Sequence, residues 1–213
     1  MDQRAARNKG GSAKRLLVGV LAVALFSAVV AGAWMFGSMM RPGGDEAADP
    51  TSNETEDVTD SADPEVLAIT DSDGFDPLGD HSEHGQNAPL AHDGDVETRW
   101  NTEGYKDPMG TEKSGVGLIL DLGEAQEVHE VDLVVPQRDY GIQIRVGDSD
   151  QVTDDASLDA NLPTAWEGQV NGTESISLDD AATGQYVLVW FTDLPTDDGR
   201  FRGSINEVEV RGT

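Results

Sequence analysis

The chain of 213 residues contains no cysteine and few basic side chains. Without cysteine it can form neither a disulfide nor a thiolate-bound zinc site. Its 14 lysines and arginines are outnumbered by 41 aspartates and glutamates, which gives a formal net charge of −27. Because so acidic a body repels phosphate backbones, nucleic acid is excluded as an expected partner.

Recognisable catalytic motifs are also absent from the sequence. It has no Gly-x-Ser-x-Gly elbow, no His-Glu-x-x-His pair and no phosphate-binding loop. Gly115 and Gly117 lack the third glycine and the following helix of a dinucleotide fingerprint. Pairs of acids carry no information in a chain with 41 of them. We therefore predict a protein that is not an enzyme.

After residue 40 no segment shows a sustained helical period, and short apolar strands separated by turns predict an all-β sandwich or barrel. Ile142, Ile144 and Val146 alternate with Gln143 and Arg145, which predicts a half-buried strand. Residues 71–89, rich in Asp, Gly, Pro and His, predict a loop. The remaining predicted strands are 66–69, 115–122, 128–136, 175–178, 186–191 and 205–211.

The N-terminal 40 residues differ sharply from the rest of the chain. Residues 1–15 carry five bases and predict a cytoplasmic tail, and residues 16–40 form an uncharged run of 25. A helix of that length spans about 37 Å, enough for a hydrocarbon core of about 30 Å. The bases before the run and the acids after it predict a single-pass plasma-membrane anchor with its N-terminus inside.

A cleaved signal peptide is the alternative, because Ala31-Gly32-Ala33 has the form of a cleavage site. The apolar run continues through Trp34 to Met40, which favours the uncleaved anchor. Both interpretations place the rest of the chain outside the membrane. Residues 41–65 have little to bury and predict a disordered acidic linker, so that the folded domain covers residues 66–213.

Residues 89–100 (PLAHDGDVETRW) resemble the opening motif of discoidin-like domains, the coagulation-factor type C group of galactose-binding-like jelly rolls. The strands at 116–123, 128–135, 184–189 and 205–210 follow in the order of that family. Residues 75–80, Glu83, Tyr105 and 115–118 are also similar to the extracytoplasmic domain of actinobacterial lipid II flippase-type envelope proteins. The resemblance implies a jelly-roll β-sandwich.

The resemblance also implies a structural calcium ion that ties the Asp-Gly-Asp loop to the last strand, with ligands Asp93, Asp95, Thr98 and Glu207. Oxygen ligands of this kind suit calcium. If Val208 and Val210 face the core, Glu207 lies on the other face, where it can reach a loop ion. The alternative is a turn in which Asp93 and Thr98 satisfy backbone groups without a metal.

Discoidin-like domains bind their ligands with loops at one end of the sandwich. Aromatic rings stack on sugars and arginines pair with carboxylates, which makes six residues candidates. They are Tyr105, Arg138, Tyr140, Arg200, Phe201 and Arg202. The alternative, in which the arginines only balance neighbouring acids, is favoured for these bases. Trp100, Trp166 and Trp190 are expected in the core.

His81, His84 and His92 fall in one loop region among acids, a set from which a zinc site could be built. No regular element fixes their spacing, and a metal-free interpretation is favoured. The combined prediction is a membrane-anchored, non-catalytic module that recognises a cell-envelope glycan, a lipid-linked precursor or a partner protein. The alternative is a structural protein–protein interaction domain of a cell-wall synthesis complex without a small ligand.

Overall fold

A computed structural model describes residues 64–81 and 83–213. Eleven strands dominate this part of the chain, with one 3₁₀ helix (Gly85–Ala91) and one α-helix, α1 (Asp155–Asn161). The strands are β1 (Glu65–Val66), β2 (Asp71–Phe75), β3 (Trp100–Asn101), β4 (Val116–Val134), β5 (Tyr140–Gly147), β6 (Thr164–Val170), β7 (Thr173–Asp193), β8 (Thr196–Asp197), β9 (Arg200–Phe201), β10 (Ser204–Ile205) and β11 (Glu207–Gly212).

Two long antiparallel strands, β4 and β7, run through both layers of a sandwich. Their pairing shifts register between Asp121 and Gln126, and Gly123 adopts a φ of 85° within this bend. Before the shift, β4 pairs with β2, and the facing part of β7 pairs with β5, which holds β6 at the edge. After the shift, β4 pairs with β11, which pairs with β1. The bend therefore turns one continuous ladder into two layers.

The core lies between these layers and includes Leu118 and Leu120 from one, Val131 and Leu133 from the other. Trp100 and Trp190 are 0% and 1% exposed, which confirms their predicted burial, whereas Trp166 on the edge strand β6 is only partly buried. The predicted β-sandwich is confirmed for the described residues. Burial of side chains of this size is the main driving force for the fold.

Several predicted boundaries were wrong. The strand expected at 66–69 is replaced by β1, which begins at Glu65, and by β2, which lies in the region 71–89 predicted as loop. Glu65 already pairs with Gly212, so the sheet begins inside the predicted linker. The strands expected at 115–122 and 128–136 are one strand, β4.

The α-helix α1 was missed because seven residues are too short to display a helical period. It begins with a capping box: the Asp154 carboxylate accepts the Ser157 N–H at 2.7 Å, and the Ser157 hydroxyl accepts the Asp154 N–H. The helix covers Arg145, which is 6% exposed and donates to Asp159 and to the Leu162 carbonyl, both at 2.9 Å. The strand around residue 145 is therefore buried on both faces, not half-buried as predicted.

The predicted cytoplasmic tail, the membrane helix at 16–40 and nearly all of the acidic linker lie outside the described residues. In the part of the chain that the structure describes, no helix is both long and apolar enough to cross a bilayer.

Candidate functional site

The Asp93-Gly94-Asp95 turn is closed by its own side chains. Gly94 adopts a φ of 78°, a conformation that glycine accepts without strain. The Asp93 carboxylate accepts the Asp95 N–H at 2.9 Å and the Thr98 hydroxyl at 3.0 Å. These are the backbone and side-chain bonds predicted for a turn without a metal, so that interpretation accounts for part of the loop.

Backbone carbonyls complete a cluster of oxygens in this loop. The Thr98 hydroxyl lies 3.2 Å from the carbonyl oxygen of Leu90 and 2.9 Å from that of Asp95. The Asp95 carboxylate instead accepts the Glu97 N–H at 3.0 Å. Asp95 therefore brings its carbonyl, not its side chain, to the cluster around Thr98.

The last strand meets this turn. The Gly94 N–H lies 3.4 Å from Oε1 of Glu207, and Asn206 Nδ2 donates to the Val96 carbonyl at 2.9 Å. Val208 and Val210 are 1% and 0% exposed, as the alternation predicted. Within the described residues Oε2 of Glu207 is buried without a hydrogen-bond partner.

The surroundings of Glu207 disfavour the charged form of its carboxylate. Burial, together with the nearby charges of Asp93, Glu209 and Asp95, raises its pKa to about 7, although the hydrogen bond from the Gly94 N–H lowers it. A buried carboxylate with an unpaired oxygen among other acids and carbonyls suits a hard cation. The donors present, all oxygen, fit calcium.

A second feature is an open cleft of about 460 Å³ between the loop after β2, the loop after β3 and the β8–β9 hairpin. Its lining combines apolar and charged side chains. The lining residues are Asp76, Leu78, Gly79, Asp80, Glu103, Gly104, Tyr105, Lys106, Asp107, Pro108, Met109, Glu112, Lys113 and Arg200.

Lys113 organises the wall of this cleft. Its ammonium lies 2.6 Å from Oδ1 of Asp76, 3.8 Å from Oε1 of Glu83 and 3.0 Å from the hydroxyl of Tyr105. The same ammonium is 4.5 Å from the centroid of the Tyr105 ring. The side chains of Asp76 and Glu83 are 3% and 0% exposed, so the two carboxylates are held within the protein.

Glu83 joins the cleft to the core. Oε2 of its carboxylate accepts the Glu103 N–H at 2.6 Å, and its carbonyl accepts the indole N–H of Trp100 at 2.8 Å. Burial raises the pKa of Glu83 to about 7, while the Glu103 N–H and Lys113 lower it. Lys113 and Asp76 were not predicted as site residues, because the loops that bring them together are distant in the chain.

The predicted ligand-binding residues do not form one group. Tyr105 and Arg200 line the cleft, and backbone bonds of 2.9 Å in both directions join Tyr105 to Phe201. Arg138 and Arg202 lie instead beside Asp197, at 3.0 Å and 4.0 Å. This is the predicted alternative in which arginines balance local acids.

Tyr140 was wrongly expected on a binding loop. It is 2% exposed and packs against Phe191, with ring centroids 5.6 Å apart. Burial raises the pKa of its phenol, and a hydrogen bond with Ser204 lowers it. Tyr140 shares a strand face with Ile142 and Ile144, which explains its place in the core.

The three histidines make separate contacts. His84 Nδ1 lies 3.0 Å from the Asn101 carbonyl oxygen, and His92 Nε2 lies 2.9 Å from Oγ of Ser72. His81 is exposed in a left-handed conformation with a φ of 62°. Within residues 64–81 and 83–213, no three histidine, aspartate or glutamate side chains come together as metal ligands. The same holds for Asp93, Asp95 and Glu207, so the calcium candidate depends on hydroxyl and carbonyl oxygens as well as on carboxylates.

No protein-family model matches the sequence. Among solved structures, the chain is similar to the CBM32 module of AlyQ in complex with 4,5-unsaturated mannuronic acid, at 22% identity over 68% of this chain and 97% of that chain, with a TM-score of 0.50. Chitosan-binding module 1 of a chitosanase/glucanase from Paenibacillus sp. IK-5 is 25% identical over 68% of this chain and 96% of that chain, with a TM-score of 0.47. The family 32 module of C. perfringens NanJ in complex with galactose is 18% identical over 68% of this chain and 98% of that chain, with a TM-score of 0.47.

The fold follows from the first of these structures. The described part of the chain has the same β-sandwich fold as the CBM32 module of AlyQ. This agrees with the discoidin-like jelly roll expected from the sequence.

Proposed function

We propose that the β-sandwich binds carbohydrate in the cleft around Tyr105 and performs no catalysis there. The observation that carries the proposal is the lining of the cleft, where one aromatic ring and apolar surface from Leu78, Pro108 and Met109 lie beside charged groups. Sugars offer apolar ring faces and a rim of hydroxyls, and a site of this mixed character satisfies both.

The Tyr105 ring is held before any ligand arrives. Its backbone is paired with Phe201, and its hydroxyl and ring contact the ammonium of Lys113. A side chain fixed in this way loses little conformational entropy on binding, which favours affinity. Arg200 also lines the cleft, and its guanidinium donates to the Gly104 carbonyl at 3.4 Å.

The placement of the two buried acids supports a role without catalysis. A general acid or base must reach the atom whose proton it transfers. Asp76 and Glu83 are instead directed at Lys113 and almost fully buried. These carboxylates support the cleft wall.

Calcium would act in this protein as a structural ion. Asp93, Thr98 and Glu207, with the carbonyls of Leu90 and Asp95, would hold it. Bound there, the ion would supply positive charge between the turn and β11. The chain's own residues already join these two segments through Gly94 and Asn206.

We further propose that residues 16–40 anchor the protein in the plasma membrane and that the domain meets a glycan of the cell envelope. The uncharged run of 25 residues and its flanking bases support the anchor. The test is fractionation of cells with alkaline carbonate washing, in which an anchored chain stays with the membranes. Release of the chain by carbonate would contradict the anchor and leave the binding proposal intact.

The binding proposal is tested by titrating the full-length chain with oligosaccharides of the cell envelope in a calorimeter. We expect Tyr105→Ala to weaken binding at least tenfold, whereas Tyr186→Ala, a matched loss of a partly buried tyrosine outside the cleft lining, leaves it unchanged. Melting temperatures of both variants establish that they fold. If no oligosaccharide binds, or if both variants bind equally, the cleft is not a sugar site and a structural interaction domain becomes the better interpretation.

A further inference from the structure

We infer that the cleft prefers a glycan that carries a free ammonium group, such as a polymer of glucosamine, over a neutral or uronic acid glycan. The inference rests on the proposed function and concerns the charge of the ligand. It follows from which charges of the cleft are already paired inside the protein and which remain for a ligand.

The positive charge of Lys113 is already neutralised. Two carboxylates, from Asp76 and Glu83, lie 2.6 Å and 3.8 Å from its ammonium. Its side chain is 11% exposed, and its ammonium also contacts the hydroxyl and the ring of Tyr105. Lys113 therefore offers no free charge to an anionic sugar, although it lies in the cleft wall.

In contrast to Lys113, three exposed carboxylates at the rim of the cleft are available to a ligand. Within the part of the chain that the structure describes, the side chains of Glu103, Asp107 and Glu112 make no ion pair or hydrogen bond, and all three residues are exposed. Two bases, Lys106 and Arg200, share this rim with them. Over the whole lining, acids outnumber bases by five to three.

The net charge of the whole protein has the same sign as this local excess of acids. The chain carries a net charge of −27, so that the potential around the cleft is negative over a long range. A uronic acid polymer would approach against this potential, and a polymer of ammonium sugars would approach with it. An ammonium also has three donors and no acceptor, which suits carboxylates with unused oxygens.

The predicted preference is moderate because the rim is exposed to water. One or two exposed ion pairs correspond to roughly a tenfold difference in affinity at low salt. The preference should shrink as salt is added, since screening acts on exposed charges at these distances. Acetylation of the amine removes the charge while it keeps the sugar ring, so the N-acetylated oligomer is the matched ligand.

The experiment titrates the full-length chain with four tetramers: β-1,4-linked glucosamine, its N-acetylated form, galacturonate and cellotetraose. We expect the glucosamine tetramer to bind about tenfold more tightly than the N-acetylated form at low salt, and the galacturonate tetramer to bind weakest. Spermine, which has charge without a sugar ring, should fail to displace the glucosamine tetramer from the cleft.

Two double variants locate the effect. Asp107→Asn with Glu112→Gln should remove most of the preference, whereas Asp179→Asn with Asp180→Asn, an equal loss of exposed charge outside the cleft lining, should retain it.

Equal or tighter binding of the N-acetylated tetramer would overturn the ammonium preference and leave carbohydrate binding standing. Equal losses in both variants, or displacement by spermine, would overturn it as well, since the attraction would then be a property of the whole acidic surface. If none of the four tetramers binds, the proposed function fails and this inference fails with it.

Discussion

The carboxylate of Glu207, on the last strand, lies 3.4 Å from the backbone N–H of Gly94, which precedes it by 113 residues. This contact joins the turn that precedes β3 to the last strand, β11. The calcium proposal can be tested here, because Glu207 is the ligand that the last strand would contribute.

Calcium should raise the melting temperature of the protein, because an ion that binds only the folded state stabilises it. At a ten- to hundredfold excess over its dissociation constant the gain is about 1.4 to 2.7 kcal/mol. Thermal melting with millimolar calcium and with EDTA measures it. Glu207→Gln should abolish the gain, whereas Glu124→Gln, an exposed change elsewhere, should not. A melting temperature that does not respond to calcium in the unmodified protein would exclude this site.

Without calcium, stability should fall as the pH rises from about 4.5 to 7. Glu83 and Glu207 each have a pKa raised to about 7 in the folded state from 4.5, so the folded state holds more protons than the unfolded state across this window. Stability then decreases with pH. Urea midpoints measured across this range should show the decline, and Glu207→Gln should make it shallower. Calcium should bind more weakly below pH 7, where protons compete for Glu207. A urea midpoint that rises through this window would contradict both shifts.

Lys113→Met should be strongly destabilising. It leaves the buried carboxylates of Asp76 and Glu83 without a cation, and loss of one partner of a buried pair costs about 3 to 5 kcal/mol. Lys106→Met, an exposed lysine of the same loop, should change stability by less than about 0.5 kcal/mol. Urea unfolding of the two variants compares them. Equal midpoints would mean that the Lys113 pairs contribute nothing.

Gly199→Ala should weaken the β8–β9 hairpin through backbone conformation alone. Gly199 has a φ of 76°, and a Cβ there would meet nothing within 4 Å. The left-handed conformation costs an alanine about 1 to 2 kcal/mol. Gly172→Ala has a similar φ of 77° and serves as the control outside the cleft. Both variants should lose similar stability, but only Gly199→Ala should reduce sugar affinity, through displacement of Arg200. Equal affinities would show that the hairpin does not matter for binding.

The sequence identified features that depend on local pattern. The alternation around Val208 and Val210 correctly predicted that Glu207 points away from the core, and the Asp-Gly-Asp string predicted the turn that it meets. The same alternation, extended back from Ile142, would have placed Tyr140 in the core. The prediction of Tyr140 on a binding loop was wrong because a residue next to a loop can still belong to the buried face of a strand.

The cleft could not be predicted in the same way. Lys113 is exposed in any local interpretation of its sequence, and only the approach of two loops provides Asp76 and Glu83 as partners. Pairing across 30 or more residues leaves no periodic signal in the chain. The helix α1 was missed for a different reason, because its capping box is a short motif with no apolar repeat behind it.

The distance along the chain between Gly94 and Glu207 has a consequence for biosynthesis. A ribosome makes the turn long before it makes β11, so these two residues can meet only after almost the whole domain has been synthesised. A chain that stops before residue 207 would lose the partner of β1 and β4 together with the carboxylate. The contact between Gly94 and Glu207 is therefore formed late in the synthesis of the domain.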